Sequence, residues 1–220
     1  MKKRKSRTIF YQIAKRIVDV VGAIILLIIF SPVMLITAIV IKITSPGPIL
    51  ADTPMRVGKD GKHFYTYKFR SMIINAHRLL KTDPRFRELY GRYKKSSYKL
   101  HDDPRVTKVG KVIRKYSIDE IVQLANVLKG EMSIVGPRPY YVDELKEQQK
   151  RYSQTKSLVR DVLSVRPGIT GFWQVSGRSD VNFDKRIEMD AYYARRKSII
   201  LDILILLKTP WAMISGKGAV

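Results

Sequence analysis

Two adjacent carboxylates, Asp119 and Glu120, open a stretch of helical periodicity, and an arginine, Arg138, follows in a loop framed by prolines. The stretch, SIDEIVQLANVLKGEMSIVGPRP, runs from Ser117 to Pro139. It begins with Ser-x-x-Glu, the pattern of a capping box in which Ser117 and Glu120 each accept the other's backbone amide. Ile118, Ile121, Leu124, Ala125 and Leu128 recur at helical spacing, and Lys129-Gly130 is a natural stop. Asp119 and Glu120 then lie in a first helical turn, where unpaired amides and the macrodipole favour negative charge. That setting lowers a carboxylate's pKa and keeps it anionic, as a nucleophile or metal ligand must be, and it also suits a phosphate. A pair that only caps a helix would read the same. Gly136, Pro137 and Pro139 hold Arg138 on a stiff, non-helical loop, a setting suited to a phosphate or carboxylate fork. A rigid surface turn is the other reading of that loop.

The elements that position these groups begin with a membrane signal. In 220 residues the chain carries 42 Lys+Arg against 19 Asp+Glu, a formal net charge of +23, and no cysteine. Such an excess calls for anionic partners, and the missing thiols exclude disulfides and thiolate metal sites. Residues 1–16 are basic, and Val20 to Ile41 follows without a charge, long enough to span a bilayer. No Ala-x-Ala cleavage site is present, which argues against a removable signal peptide. Ser31-Pro32 sits near the middle, where proline removes a backbone hydrogen bond. Both flanks are basic, with Lys15 and Arg16 before and Lys42, Arg56, Lys59 and Lys62 after. Two basic flanks suggest both ends on one side, and a re-entrant helix–break–helix over 17–44, broken at Ser31-Pro32, satisfies both observations. Proline-kinked spanning helices share these features.

Ser45-Pro46-Gly47-Pro48 ends that segment. Arg56 to Gly61 reads as a turn between short strands, and His63 to Phe69 as a strand. Asn75 to Tyr98 reads as helical with a break at Asp83-Pro84, and Tyr140 to Tyr152 as a charged helix. Arg166 to Gly171 reads as a rigid loop and Asp184 to Ser198 as a helix. Ile199 to Leu207, interrupted by Asp202 and followed by Trp211, reads as an interfacial amphipathic segment. His77 and His101 lack metal-ligand spacing and receive no role.

Several of these motifs stand together in one known pattern. Lys68-Phe69-Arg70-Ser71-Met72, the string DDPRVTKVGKVIRKYSIDE from Asp102, VGPRP from Val135, and RPGITG…QVSGR from Arg166 resemble the bacterial sugar transferases, the monotopic phosphoglycosyl transferases. The resemblance runs in order from about Ser31-Pro32 to the C-terminal Gly-Lys-Gly-Ala. It departs at Leu50-Ala-Asp-Thr-Pro54, where many members place an aromatic and a Gln. It implies an α+β fold, predominantly helical: a re-entrant helix over 17–44 behind a basic segment 1–16, and a small cytosolic, membrane-associated catalytic domain over 45–220 with interfacial amphipathic helices. Beside the longer members, which carry an extra multi-span N-terminal region, it implies a minimal catalytic unit.

The activity implied is transfer of a sugar 1-phosphate, a hexose such as galactose or glucose, from a UDP-sugar to undecaprenyl phosphate, as the first step of capsule, exopolysaccharide or O-antigen assembly. By the same resemblance Asp119 is the nucleophile, Glu120 the carboxylate associated with Mg²⁺, and Lys68, Arg70, Arg105, Arg114, Pro137, Arg138, Pro139 and Arg178 bind substrate. The implied location is the cytoplasmic face of the bacterial inner membrane, among anionic lipids. A homodimer and downstream glycosyltransferases are further candidate partners, and no specific nucleic acid is expected. Two other classes compete: a membrane-tethered nucleic-acid binder, for which no recognition helix or RNA-type aromatic motif is visible, and a non-catalytic scaffold, which would not need Asp119, Glu120 and Arg138 together.

Overall fold

Nothing in the N-terminal sequence stops a helix before Ser45-Pro46-Gly47, and the chain winds into one helix, α1, Lys2–Thr44. The computed structural model describes residues 2–95, 98, 100, 102–176 and 181–214. The basic and apolar segments belong to this same helix, and Pro32 lies inside it. Proline has no amide to give the carbonyl of Ile28, and Ser31 Oγ donates to that carbonyl instead, at 2.8 Å. The expected break at Ser31-Pro32 is therefore no break in the hydrogen-bonded helix, because the neighbouring hydroxyl replaces the missing donor.

One stripe of α1 packs on the rest of the chain. Asp19, Ala23, Thr37 and Ile41 are buried along it, while Val21, Ile24, Ile28 and Ile39 are exposed. Towards one end, Arg16 donates to the carbonyls of Val127 and Leu128, at 2.6 and 2.9 Å. There too Asp19 accepts from Ser133 Oγ at 2.7 Å and the Ile134 amide at 3.0 Å. Towards the other end, Ile41 packs with Phe69 and Ile113. Points roughly 35–40 Å apart along one helix, at about 1.5 Å per residue, thus dock on the same body of protein.

After α1, strand β1 (Arg56–Val57) turns through Lys59–Gly61 into β2 (His63–Phe64). Helices α2 (Ala76–Thr82) and α3 (Arg87–Lys95) are separated at Asp83-Pro84, as the proline requires. Helix α4 (Lys108–Lys115) starts at Thr107, whose hydroxyl accepts the Gly110 amide at 2.9 Å. A 3-10 turn, Ile118–Gln123, leads into α5 (Leu124–Lys129), which Gly130 ends in the left-handed region, φ 82°. Strands β3 (Ser133–Val135) and β4 (Tyr140–Tyr141) precede α6 (Val142–Arg151) and α7 (Lys156–Leu163). Strand β5 (Gly168–Thr170), α8 (Phe172–Ser176), α9 (Phe183–Arg196) and α10 (Ile199–Ile214) complete the described chain. β1 is the middle strand of the antiparallel set β2-β1-β4, and β3 pairs β5 in parallel.

Three local expectations change. The strand expected over 63–69 is regular only at His63–Phe64, with an isolated bridge from Phe69 to Leu50. Between them the side chain of Asn126 takes the place of a partner strand: its Nδ2 donates to the Tyr65 carbonyl at 2.8 Å, and its Oδ1 accepts the Tyr67 amide at 2.9 Å. The expected loop over 166–171 contains β5, whose backbone lies directly on the VGPRP loop. A Cβ on Gly168 would fall 2.1 Å from the Gly136 nitrogen, so only glycine permits that approach. Asp202, read as an interruption, faces inward: it accepts from Tyr193 Oη at 2.6 Å and pairs with Lys15 at 3.0 Å. The rest of α10 leaves Ile200, Ile203, Leu204, Leu207 and Trp211 exposed.

The capping box is absent. Ser117 adopts φ 56°, ψ 24°, its side chain makes no capping bond, and the Glu120 amide goes to the Ser117 carbonyl at 3.2 Å. A left-handed serine costs roughly 1 kcal/mol relative to glycine. Ser117→Gly should therefore stabilise the protein by about 0.5–1 kcal/mol, with Ser117→Ala close to neutral, as read from unfolding in detergent. A loss of about 1 kcal/mol in Ser117→Ala would restore the capping box.

Candidate active site

The left-handed turn at Ser117 redirects the chain after α4, so that Asp119 points into the protein and Glu120 to a cavity wall. Lys68 reaches both. Its Nζ lies 2.9 Å from Asp119 Oδ2 and 2.9 Å from Glu120 Oε1. The backbone around Lys68 is fixed on both sides. Asn126 holds Tyr65 and Tyr67, and the Phe69 amide donates to the Asp119 carbonyl at 3.0 Å. Beyond it, the Arg70 amide donates to the Ile49 carbonyl, and its guanidinium donates to the Pro48 and Ser45 carbonyls and to Ser45 Oγ. Arg70 thus ties the end of α1 to the segment that carries Lys68.

The electrostatics separates the two acids. Asp119 is 2% exposed, and burial raises its pKa above the usual carboxylate value, helped by Glu120 and opposed by Lys68 and Arg114. The expectation that its position would lower that pKa is corrected: desolvation outweighs the helix end. Glu120 is also disfavoured by burial, but Lys68, Arg138 and Arg56 together hold its pKa below the ordinary value. Lys68 is penalised by burial and more than compensated by the two carboxylates, so its pKa rises. Asp119 Oδ2 is buried and makes no well-aligned hydrogen bond, only the ion pair.

Asp119, Glu120, Lys68, Arg114 and Arg138 share one cavity of about 800 Å³. Part of its lining is hydrocarbon, from Leu26 and Phe30 of α1, Ile134, and Leu206 and Met213 of α10. Another part is aromatic and polar: His77 stacks on Tyr141 with centroids 6.0 Å apart, and the Arg56 guanidinium lies 3.4 Å over the same Tyr141 ring. His77, left without a role by the sequence, faces this cavity, and burial with the nearby Lys81 and Arg105 cations pushes its pKa down to about 4.

The remaining predicted residues divide. Arg70 and Arg105 also border the cavity, but their guanidiniums are engaged by the protein: Arg105 grips Asp103 and donates to the Ala76 carbonyl at 2.9 Å. Pro137 and Pro139 act through their carbonyls, which accept from the Gly168 amide at 2.8 Å and Arg56 Nη1 at 3.0 Å. Arg178 and His101 lie outside the described residues.

Arg138 stands in front of a buried polar set that the sequence did not single out. Its amide donates to Asp190 Oδ2 at 3.2 Å, which also accepts from Tyr140 Oη at 2.8 Å. Its guanidinium lies 5.7 Å from the centroid of Trp173, with Arg186 at 5.2 Å from the same ring. Arg186 pairs in turn with the fully buried Glu144 at 3.1 Å. A signal was present: Asp190 occurs at helical spacing with Phe183, Ile187 and Ala194, an acid on the apolar face of α9.

A magnesium ion fits this donor set in one way. Among the described residues no three His, Cys, Asp or Glu side chains cluster as a cage. Mg²⁺ is commonly held by one or two carboxylates together with substrate phosphates, and Glu120, at the cavity beside the cations, would offer one.

The sequence model of the family described as bacterial sugar transferase matches residues 10–216. The chain is 43% identical over 221 residues to an undecaprenyl-phosphate galactose phosphotransferase of Salmonella typhimurium, covering 99% of this chain and 43% of that protein. It is 43% identical over 208 residues to a galactosyl transferase, CpsE, of Streptococcus agalactiae, covering 94% and 43%. It is 40% identical over 211 residues to the exopolysaccharide production protein ExoY of Sinorhizobium fredii, covering 94% and 88%. The chain thus spans about two fifths of the longer relatives and nearly the whole of ExoY. With the match extending over α1, the carboxylate pair and α10, the chain belongs to the bacterial sugar transferase family.

Proposed function

We propose that this protein transfers a sugar 1-phosphate from a UDP-sugar to undecaprenyl phosphate, releasing UMP, through a covalent intermediate on Asp119. The observation that carries this reading is Lys68 Nζ at 2.9 Å from both carboxylates, with Asp119 buried at the wall of a cavity lined partly by hydrocarbon. In the first step a carboxylate oxygen of Asp119 forms a bond to the β-phosphorus, and the bond from that phosphorus to the bridging oxygen breaks, so that UMP leaves. In the second, an oxygen of undecaprenyl phosphate attacks the same phosphorus, the bond to Asp119 breaks, and the lipid diphosphate sugar departs. Two steps through a carboxylate divide one displacement between anions into two. Arg114 and Arg138 supply fixed positive charge for the phosphoryl oxygens, while Lys68 holds the two carboxylates in place. Glu120 and the diphosphate oxygens would hold Mg²⁺, which when bound neutralises the phosphate charge. Galactose or glucose is the sugar we favour, and the relatives named for galactose support the first.

We place the protein on the cytoplasmic face of the inner membrane, with α1 dipping into one leaflet rather than crossing. Phe10–Thr44 is long and apolar enough to cross. Docking of both its ends on one domain supports the dipping arrangement, since a domain at one surface cannot hold both ends of a crossing helix. The exposed apolar side chains of α10 would lie at the same surface.

Release of UMP from a panel of UDP-sugars with Mg²⁺, with and without undecaprenyl phosphate in nanodiscs, tests the reaction. Turnover with one UDP-hexose that depends on the lipid is expected, and no UMP from any donor by folded, membrane-embedded protein would overturn the proposal. Asp119→Asn should abolish turnover, and Glu120→Gln should weaken its dependence on Mg²⁺.

The acid limb of the pH–rate profile should lie above the range of an ordinary aspartate, because burial raises the pKa of Asp119. Lys68→Met removes the main group opposing that rise, so the acid limb should move to still higher pH as the rate falls. An acid limb that stays in place would remove Lys68 from the control of Asp119.

A further inference from the structure

A second cavity, of about 340 Å³, shares no lining residue with the first and lies against the N-terminal part of α1. Five cations line it: Lys15, Arg16, Lys59, Arg166 and Lys197. Asp19 is the one carboxylate in its lining, and its oxygens are engaged by Ser133 Oγ, the Ile134 amide and Lys15. Lys15 is balanced by Asp19 and Asp202, at 3.1 and 3.0 Å. The other four keep their charge. Arg16, Arg166 and Lys197 donate to the backbone carbonyls of Val127, Leu128, Gly130 and Ala194. Carbonyls fix where a cation sits without cancelling it. Among the described residues the acid that Lys59 pairs with is the largely exposed Asp60, at 3.9 Å, a contact of little weight. Burial, and after it the nearby Lys59, push the pKa of Lys197 below its ordinary value against the opposing pull of Asp161.

Part of the lining has another character. Ile13 and Ile17, 57% and 58% exposed, line the same cavity from α1 and begin the apolar face that continues along that helix. Fixed cations beside exposed hydrocarbon match both halves of a phospholipid. A soluble phosphate would use the cations and leave Ile13 and Ile17 without a role.

We propose that this cavity binds the phosphate of an anionic phospholipid head group, with the acyl chains lying along α1 at Ile13 and Ile17. The site rests on the membrane placement of α1 and is independent of the chemistry at Asp119.

The test is thermal unfolding of the full chain in uncharged detergent with short-chain phosphatidylglycerol, phosphatidylcholine or inorganic phosphate. Phosphatidylglycerol should raise the melting temperature saturably, and the other two should not. Lys59→Gln with Lys197→Gln should weaken that binding roughly 10- to 30-fold, at about 1 kcal/mol for each cation near a lipid surface. Without lipid this variant should melt at or above the wild-type temperature, because a repulsion is relieved, and it should still release UMP. Lys146→Gln with Lys150→Gln, an equal loss of charge on the exposed face of α6, should bind phosphatidylglycerol as the wild type does. An equal rise with inorganic phosphate would reassign the cavity to a free anion and overturn the lipid. Equal binding by the two double variants would show diffuse attraction and overturn the site.

Discussion

A carboxylate that is 2% exposed can serve as an anion only if a cation is held against it, and here that cation is Lys68, 2.9 Å from Asp119. Desolvation pulls Asp119 towards protonation, and the lysine pulls it back. Losing one partner of a buried pair typically costs on the order of 3–5 kcal/mol, so the geometry around the pair has to be rigid. Much of the domain serves that end. Asn126 replaces a strand beside Lys68, Phe69 bonds the backbone of Asp119, and Arg70 fastens the same segment to the end of α1. Arg138 is held by a separate buried set, through Asp190 and Trp173.

The long apolar helix α1 is therefore also part of the scaffold of the site. Leu26 and Phe30 line the active cavity, Ile41 packs with Phe69, and Arg70 bonds the turn that ends α1. Proline at position 32 is compatible with this because Ser31 satisfies the carbonyl that proline leaves. At the other end, Lys15 joins Asp19 to Asp202 and so couples α1 to α10, the second element with an exposed apolar face. On the proposed reaction, an acceptor lipid would share a cavity lined by Leu26 and Phe30 of α1 and by Leu206 and Met213 of α10 as well as by Asp119.

How much of this was readable depends on whether the cause was local. The break at Asp83-Pro84, the stop at Gly130 and the long apolar α1 follow from residues acting on their own backbone. The family motifs also brought Lys68, Asp119, Glu120 and Arg138 into one short list. The left-handed Ser117 was not legible, because a serine in a Ser-x-x-Glu frame signals a cap and only packing dictates otherwise. The roles of Asn126 and Asp190 were hidden for a similar reason: their partners are 50 or more residues away. Arg70 and Arg105 look like phosphate ligands in sequence, and the fold gives their guanidiniums carbonyls and a carboxylate to bind. Charge alone does not say whether an arginine faces substrate or protein.

As the proposed nucleophile, Asp119 becomes covalently bonded to the transferred phosphorus. Mixing the protein with its UDP-sugar in the absence of undecaprenyl phosphate, quenching in acid and mapping peptides by mass spectrometry would test it most directly. A sugar phosphate is expected on the peptide that contains Asp119, formed in step with UMP and lost when lipid acceptor is added. Full turnover with no adduct on that peptide at any time, and UMP released only when the lipid is present, would mean direct transfer between the two substrates and would contradict it.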